Sequence, residues 1–124
     1  MYLTHVDPKL NGYQKGNHCL VQEQQNLNFG IWYMDSGCSR HMTKTKSLLS
    51  EYQQKKGPAV IFGGKEKGQT IGYGMLKNKR VTFNEVAHVD GLQHNLLSIS
   101  QLCDKGFEVV FKKNECQVRD AKDQ

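Results

Sequence analysis

Ile31-Trp32-Tyr33-Met34-Asp35-Ser36-Gly37 runs from the most apolar segment of the chain straight into a tripeptide typical of tight turns. A short aromatic and branched run that ends this way predicts a buried strand feeding a turn. An acidic residue at such a junction is partly desolvated, which drives a lone carboxyl toward its neutral form. Folding gains little from that placement. Ser36 offers a hydroxyl to a backbone or carboxylate partner, and Gly37 lets the backbone pass close to a neighbour, so the triplet suits a carboxyl group held at a fixed turn. Asp-Ser-Gly is also an ordinary turn tripeptide, so the flanking sequence must decide between the two readings.

Downstream, Leu48, Leu49 and Tyr52 stand at helical spacing within polar sequence, which leaves a short helix and an irregular loop both open. Ala59-Val60-Ile61-Phe62 predicts a strand, Gly63-Gly64-Lys65-Glu66-Lys67-Gly68 a Gly-rich polar tip, and Gln69 to Leu76 a returning strand. On that returning strand Ile71, Tyr73 and Met75 share one side of the pleat, and Gly72 and Gly74 the other. Val81-Thr82-Phe83 and Val86-Ala87-His88-Val89 predict two more short strands before Asp90-Gly91 breaks the run.

One helix is expected. Ser98-Ile99-Ser100-Gln101 matches a capping box, with Ser98 accepting from the Gln101 backbone N–H and the Gln101 side chain reaching back. Gly106 supplies the left-handed residue that ends helices. Phe107 to Phe111 and Glu115 to Val118 then flank Lys112-Lys113-Asn114 as a terminal hairpin. Many short strands at this spacing predict a mainly β fold, a small barrel.

The 124 residues suit one domain with one modest core. Residues 1–30 mix Asn, Gln, Gly, Lys and His with few apolar anchors and read as a flexible linker, 31–119 as the folded domain and 120–124 as a tail. No run approaches the roughly 18 apolar residues that cross a bilayer, and no signal-peptide pattern opens the chain, so an intracellular location and no membrane partner are expected. Cys19, Cys38, Cys103 and Cys116 show neither metal-ribbon nor disulfide-framework spacing, and reduced thiols are expected. The net charge of +5 is spread over presumed loops as solvated faces, so direct nucleic-acid binding is not expected.

The order of the pieces is a hydrophobic strand into Asp-Ser-Gly, a connecting stretch, a strand-glycine-strand hairpin, further strands and a hydrophobic pair opening a short helix. It resembles the retropepsins, the dimeric aspartic proteases of retroviruses and retroelements. Two longer blocks carry the likeness: Trp32-Tyr33-Met34-Asp35-Ser36-Gly37-Cys38-Ser39-Arg40-His41-Met42-Thr43 and Val89-Asp90-Gly91-Leu92-Gln93-His94-Asn95-Leu96-Leu97-Ser98-Ile99-Ser100-Gln101-Leu102. Both look like the protease region of copia-type retrotransposon Gag-Pol polyproteins, plant ones especially. The likeness extends from Ile31 to Val118.

This resemblance implies a closed β-barrel with a hairpin flap and one short C-terminal helix. It implies Asp35 as the catalytic carboxylate, Ser36 as its brace across a dyad and Gly37 as the close-approach glycine. Gly63, Gly64, Lys65 and Gly68 would belong to a flap over substrate, and Leu96-Leu97-Ser98 to the scaffold behind the loop. Ser36 stands where many retroviral enzymes carry Thr, Cys38 where they usually carry Ala, and Lys65-Glu66-Lys67 is more charged than a typical retroviral flap tip. No second Asp-Ser/Thr-Gly follows, so each chain supplies half a site and the expected partner is a second copy. The expected substrate is a polyprotein peptide, processed in a cytoplasmic virus-like particle, with no metal and no cofactor. His18-Cys19 does not complete a zinc knuckle.

Two other classes fit some of these residues. A catalytically inactive barrel of the same fold would serve as a dimerisation or interaction module. Cys38 and His41, with His18 and Cys19, could form a nucleophile-base pair or bind zinc.

Overall fold

The computed structural model describes residues 12–15, 18–22, 29–62, 66–77, 82–113 and 115–120. The fold is mainly β. Its strands are β1 (Gly12–Lys15), β2 (His18–Gln22), β3 (Ile31–Asp35), β4 (Met42–Thr43), β5 (Ser50–Gln54), β6 (Ala59–Phe62), β7 (Glu66–Lys77), β8 (Thr82–Asp90), β9 (Asn95–Ser98), β10 (Phe107–Phe111) and β11 (Glu115–Asp120). The helix α1 (Ile99–Asp104) sits between β9 and β10, and a 3-10 turn at Lys46–Leu48 settles the open choice before β5.

The strands pair in the order β10-β11-β1-β2-β3-β9-β4-β8-β7-β5, with β6 also on β7. Closure of a barrel requires the end strands to bond each other, and among the described residues β10 and β5 do not, so the sheet is open where a closed barrel was expected. The character of β5 accounts for this. Its five residues are polar and mostly exposed, Glu51 has φ 51°, and its register on β7 slips between Ser50 and Gln53, all features of an edge strand that resists further pairing.

Three boundaries differ from expectation. Gly12–Lys15 and His18–Gln22, inside the segment expected to be linker, are strands that join β11 to β3, and Asp120 closes β11 opposite Phe107. The two strands expected around Phe83 and Val86 are one, because a register shift between Gly74 and Leu76 on β7 absorbs the polar Asn84-Glu85 without breaking β8. Cys116, fully buried, is disulfide-bonded rather than a reduced thiol. The terminal hairpin and the helix stop at Gly106, with φ 98°, are as expected.

Alternation along β3 buries Trp32 and Met34 in the main core, with Phe29, Leu49, Leu76, Phe83, Val86, Leu97 and Leu102. The Trp32 indole N–H, which would be costly to bury unpaired, donates to the Phe29 carbonyl at 2.6 Å. A second cluster of Met42, Ala87, Val89 and Leu92 lies beneath the loop that follows β3. On β7 the glycine side of the pleat is the more buried one, shared with Thr70 and Leu76. The missing side chains make room there: a Cβ on Gly72 would overlap the Tyr52 ring, and one on Gly74 would lie 2.8 Å from Leu49 Cβ.

Candidate active site around Asp35

Strand β9 holds both arms of the loop that carries Asp35. On one side it pairs in parallel with β3, setting Asp35 opposite Ser98; on the other it pairs with β4, Met42 opposite Leu96. Residues 36–41 therefore leave the sheet on one flank of β9 and return on the other. Buried side chains bolt the three strands together: Thr43 Oγ1 donates to Asn95 Oδ1 at 2.7 Å, and Asn95 Nδ2 donates to the Ile31 carbonyl at 3.1 Å. A buried amide with both ends paired fixes this register, since leaving either end unpaired costs about 1 to 3 kcal/mol.

At the loop's start the half-buried Asp35 turns its carboxylate back onto its own turn, Oδ1 accepting the Gly37 N–H at 2.6 Å. A Cβ at Gly37 would stand 3.2 Å from that oxygen, tighter than an ordinary contact, so glycine is what lets the amide close in. Ser36 and Gly37 are exposed. The expected triplet thus places an accessible carboxyl group at a fixed turn.

Ser98 caps α1 as expected, its Oγ accepting the Gln101 N–H at 3.1 Å. The same hydroxyl donates to the Cys38 carbonyl at 2.8 Å, fastening the loop's middle. The reciprocal half of the capping box is rewired. Gln101 Oε1 accepts the His41 backbone N–H at 2.8 Å, and the Ser98 N–H donates to His41 Nδ1 at 2.9 Å. His41 was singled out in the sequence only as a possible zinc or nucleophile partner; no neighbouring residue signals its burial, which is set by Ser98 and Gln101, 57 and 60 positions away.

The Cys38 thiol is pushed up to about 11, first by burial and then by the charge of Asp35, so it carries almost no thiolate near neutrality. The imidazole of His41 is pushed down to about 4, first by burial and then by the positive charges of Lys105 and Arg40. Its ring stacks edge-on against Phe83, 5.1 Å between centroids, and its Nδ1 is already engaged by Ser98. Cys38 and His41 therefore do not form an activated pair. Among the described residues no cluster of three His, Cys, Asp or Glu side chains could hold a metal, and the side chains of His18 and Cys19 lie outside the described part.

Beside the loop, a pocket of about 270 Å³ opens between Gly37–Arg40 and the β6-β7 hairpin, walled by Met42, Val60, Ile61 and Tyr73. Arg40 stands at its margin, 5.5 Å above the Tyr73 ring and 3.3 Å from Glu85. The hairpin itself is present, Ala59 to Phe62 pairing with Gln69 to Glu66. Gly63, Gly64 and Lys65 lie outside the described residues. Gly68 belongs not to the tip but to β7, buried opposite Val60.

These features define a mainly β domain in which one strand clamps both arms of a carboxyl-bearing turn. The chain belongs to the family described as Pol polyprotein, beta-barrel domain, whose model matches residues 32–107, and is thus Pol polyprotein sequence. The match takes in the whole Asp35 loop, the hairpin and α1. Comparison with the curated proteins and with the solved structures gives no match.

Proposed function

We propose that this chain is the aspartic endopeptidase domain of a copia-type retrotransposon Gag-Pol polyprotein, active as a homodimer in which each subunit contributes Asp35. The observation that carries the reading is the Asp35 turn: a carboxylate at the end of a buried strand, oriented by the Gly37 N–H and pinned at both arms to β9. A single such carboxyl cannot both activate water and protonate a carbonyl. Two of them about 3 Å apart on a two-fold axis cannot both ionise, so they share a proton. The ionised member then takes a proton from water while the protonated one polarises the scissile carbonyl.

The pair titrates as a unit and gives a bell-shaped, mildly acidic pH profile. Ser36 braces the dyad, and an extended peptide of the polyprotein lies between the turn and the hairpin, where main-chain hydrogen bonds supply affinity and pockets such as that walled by Val60 and Tyr73 read side chains. On this reading the folded unit takes in β1 and β2 together with 31–120, and the work is done within an intracellular particle.

The test is self-processing of the domain joined to flanking polyprotein sequence near pH 5. Cleavage that disappears in Asp35→Ala and with a statine-type peptide inhibitor supports the enzyme. Cleavage that survives Asp35→Ala removes Asp35 from the chemistry. A folded dimer that never cleaves leaves the domain as an interaction module.

A further inference from the structure

We propose that His41 is a positioning residue for the Asp35 turn, a neutral imidazole that closes residues 36–41 onto Ser98; this rests on the endopeptidase reading for its effect on catalysis. The geometry is a loop fastened three times to one residue. Asp35 lies opposite Ser98 in the β3-β9 pair, the Ser98 hydroxyl holds the Cys38 carbonyl at 2.8 Å, and the Ser98 N–H ends on His41 Nδ1 at 2.9 Å. The Gln101 side chain adds a fourth tie to the His41 N–H.

An imidazole nitrogen can accept a backbone N–H only when it carries no proton, so this closure requires the tautomer with hydrogen on Nε2. His41 is 2% exposed, too buried for water to replace the lost acceptor. The groups around it discourage protonation. Arg40 on its own loop and Lys105 at the end of α1 repel a second positive charge, while Glu85 from β8 and Asp104 from α1 line the neighbouring pocket and favour one. Protonation turns the Nδ1 acceptor into a donor facing the Ser98 N–H. The loop's C-terminal arm then keeps only its backbone ties, to Gln101 and to the Ala87 N–H, and the carboxyl loses its fixed direction.

The proposal predicts a coupling between His41 and the distant end of its loop. In the full chain, nitrogen NMR should report the Nε2–H tautomer near neutral pH, and the Gly37 amide signal, which also responds to its own partner Asp35, should carry a component with the same midpoint as His41 itself. His41→Phe keeps a ring against Phe83 but removes the acceptor, and should lower kcat on unfolded casein about tenfold with little change in KM. His41→Asn offers an amide oxygen in the place of Nδ1 and should recover most of that loss, leaving the Gly37 amide only its response to Asp35. A Gly37 signal indifferent to His41 titration, or a His41→Phe protein as active as the parent, overturns the positioning role. Absence of casein cleavage by the parent counts against the endopeptidase reading alone, because the amide coupling decides the role of His41 without it.

Discussion

The Asp35 loop and the pairing of β5 with β7 both bring two chain segments into close approach, and they do so by opposite means. The loop is fastened by directional bonds among Cys38, His41, Ser98 and Gln101, between 2.8 and 3.1 Å long. Along the β5-β7 pair, Tyr52 and, just before β5, Leu49 settle over Gly72 and Gly74, where missing side chains leave the space. Hydrogen bonds aim a functional group but depend on protonation. A steric fit ignores pH but tolerates no added volume.

The largest contrast should emerge on acidification. Because the folded pKa of His41 is lowered from 6.5 to about 4, the unfolded chain takes up its proton first. Its contribution is intact above about pH 6.5 and drains away as pH falls toward about 4, at a cost of about 3 kcal/mol. Urea midpoints of the parent and His41→Asn, compared at pH 7 and pH 4, should show that fall in the parent only. Equal losses in both proteins would assign the acid sensitivity elsewhere.

In the β5-β7 pair, Gly74→Ala should cost about 2 kcal/mol at either pH, since the new Cβ meets Leu49 Cβ at 2.8 Å and the Ser50 carbonyl at 3.1 Å, and the backbone must yield. A pH-dependent cost would mean that the β5-β7 pair is tied to the loop after all. Ser98→Ala removes the helix cap and the bond to Cys38, and thermal unfolding should register about 1 kcal/mol. Smallest of all is Glu85→Gln at the exposed Arg40 pair, expected below about 0.5 kcal/mol and lost in high salt.

The same contrast explains what the sequence made legible. Local signals sufficed for the strand into Asp35, the β6-β7 hairpin, the Ser98 cap and the terminal hairpin, because each is written in contiguous residues with a clear period or turn. The glycines of β7 were legible as one side of a pleat, but not as the buried side; that depends on Tyr52 and Leu49 arriving from another strand. Strands β1 and β2 had no apolar alternation to announce them, and what places them is backbone pairing with β11 and β3. The open sheet was hidden because closure depends on the meeting of two distant edges. At the site, Asp35 was readable as a carboxyl at a strand end, whereas His41 owes its role to residues 57 and 60 positions away.

In the proposed enzyme two copies of Asp35 make one site, and mixing of subunits tests this sharing. Native chain is held at fixed concentration, cleaving unfolded casein at about pH 5, while Asp35→Asn chain is added, with sedimentation confirming that both forms dimerise. Random pairing predicts that an equal amount of variant lowers activity to about half, although no native chain has been removed. Activity that stays level as the variant is added would mean that each chain works alone, and would contradict the shared dyad.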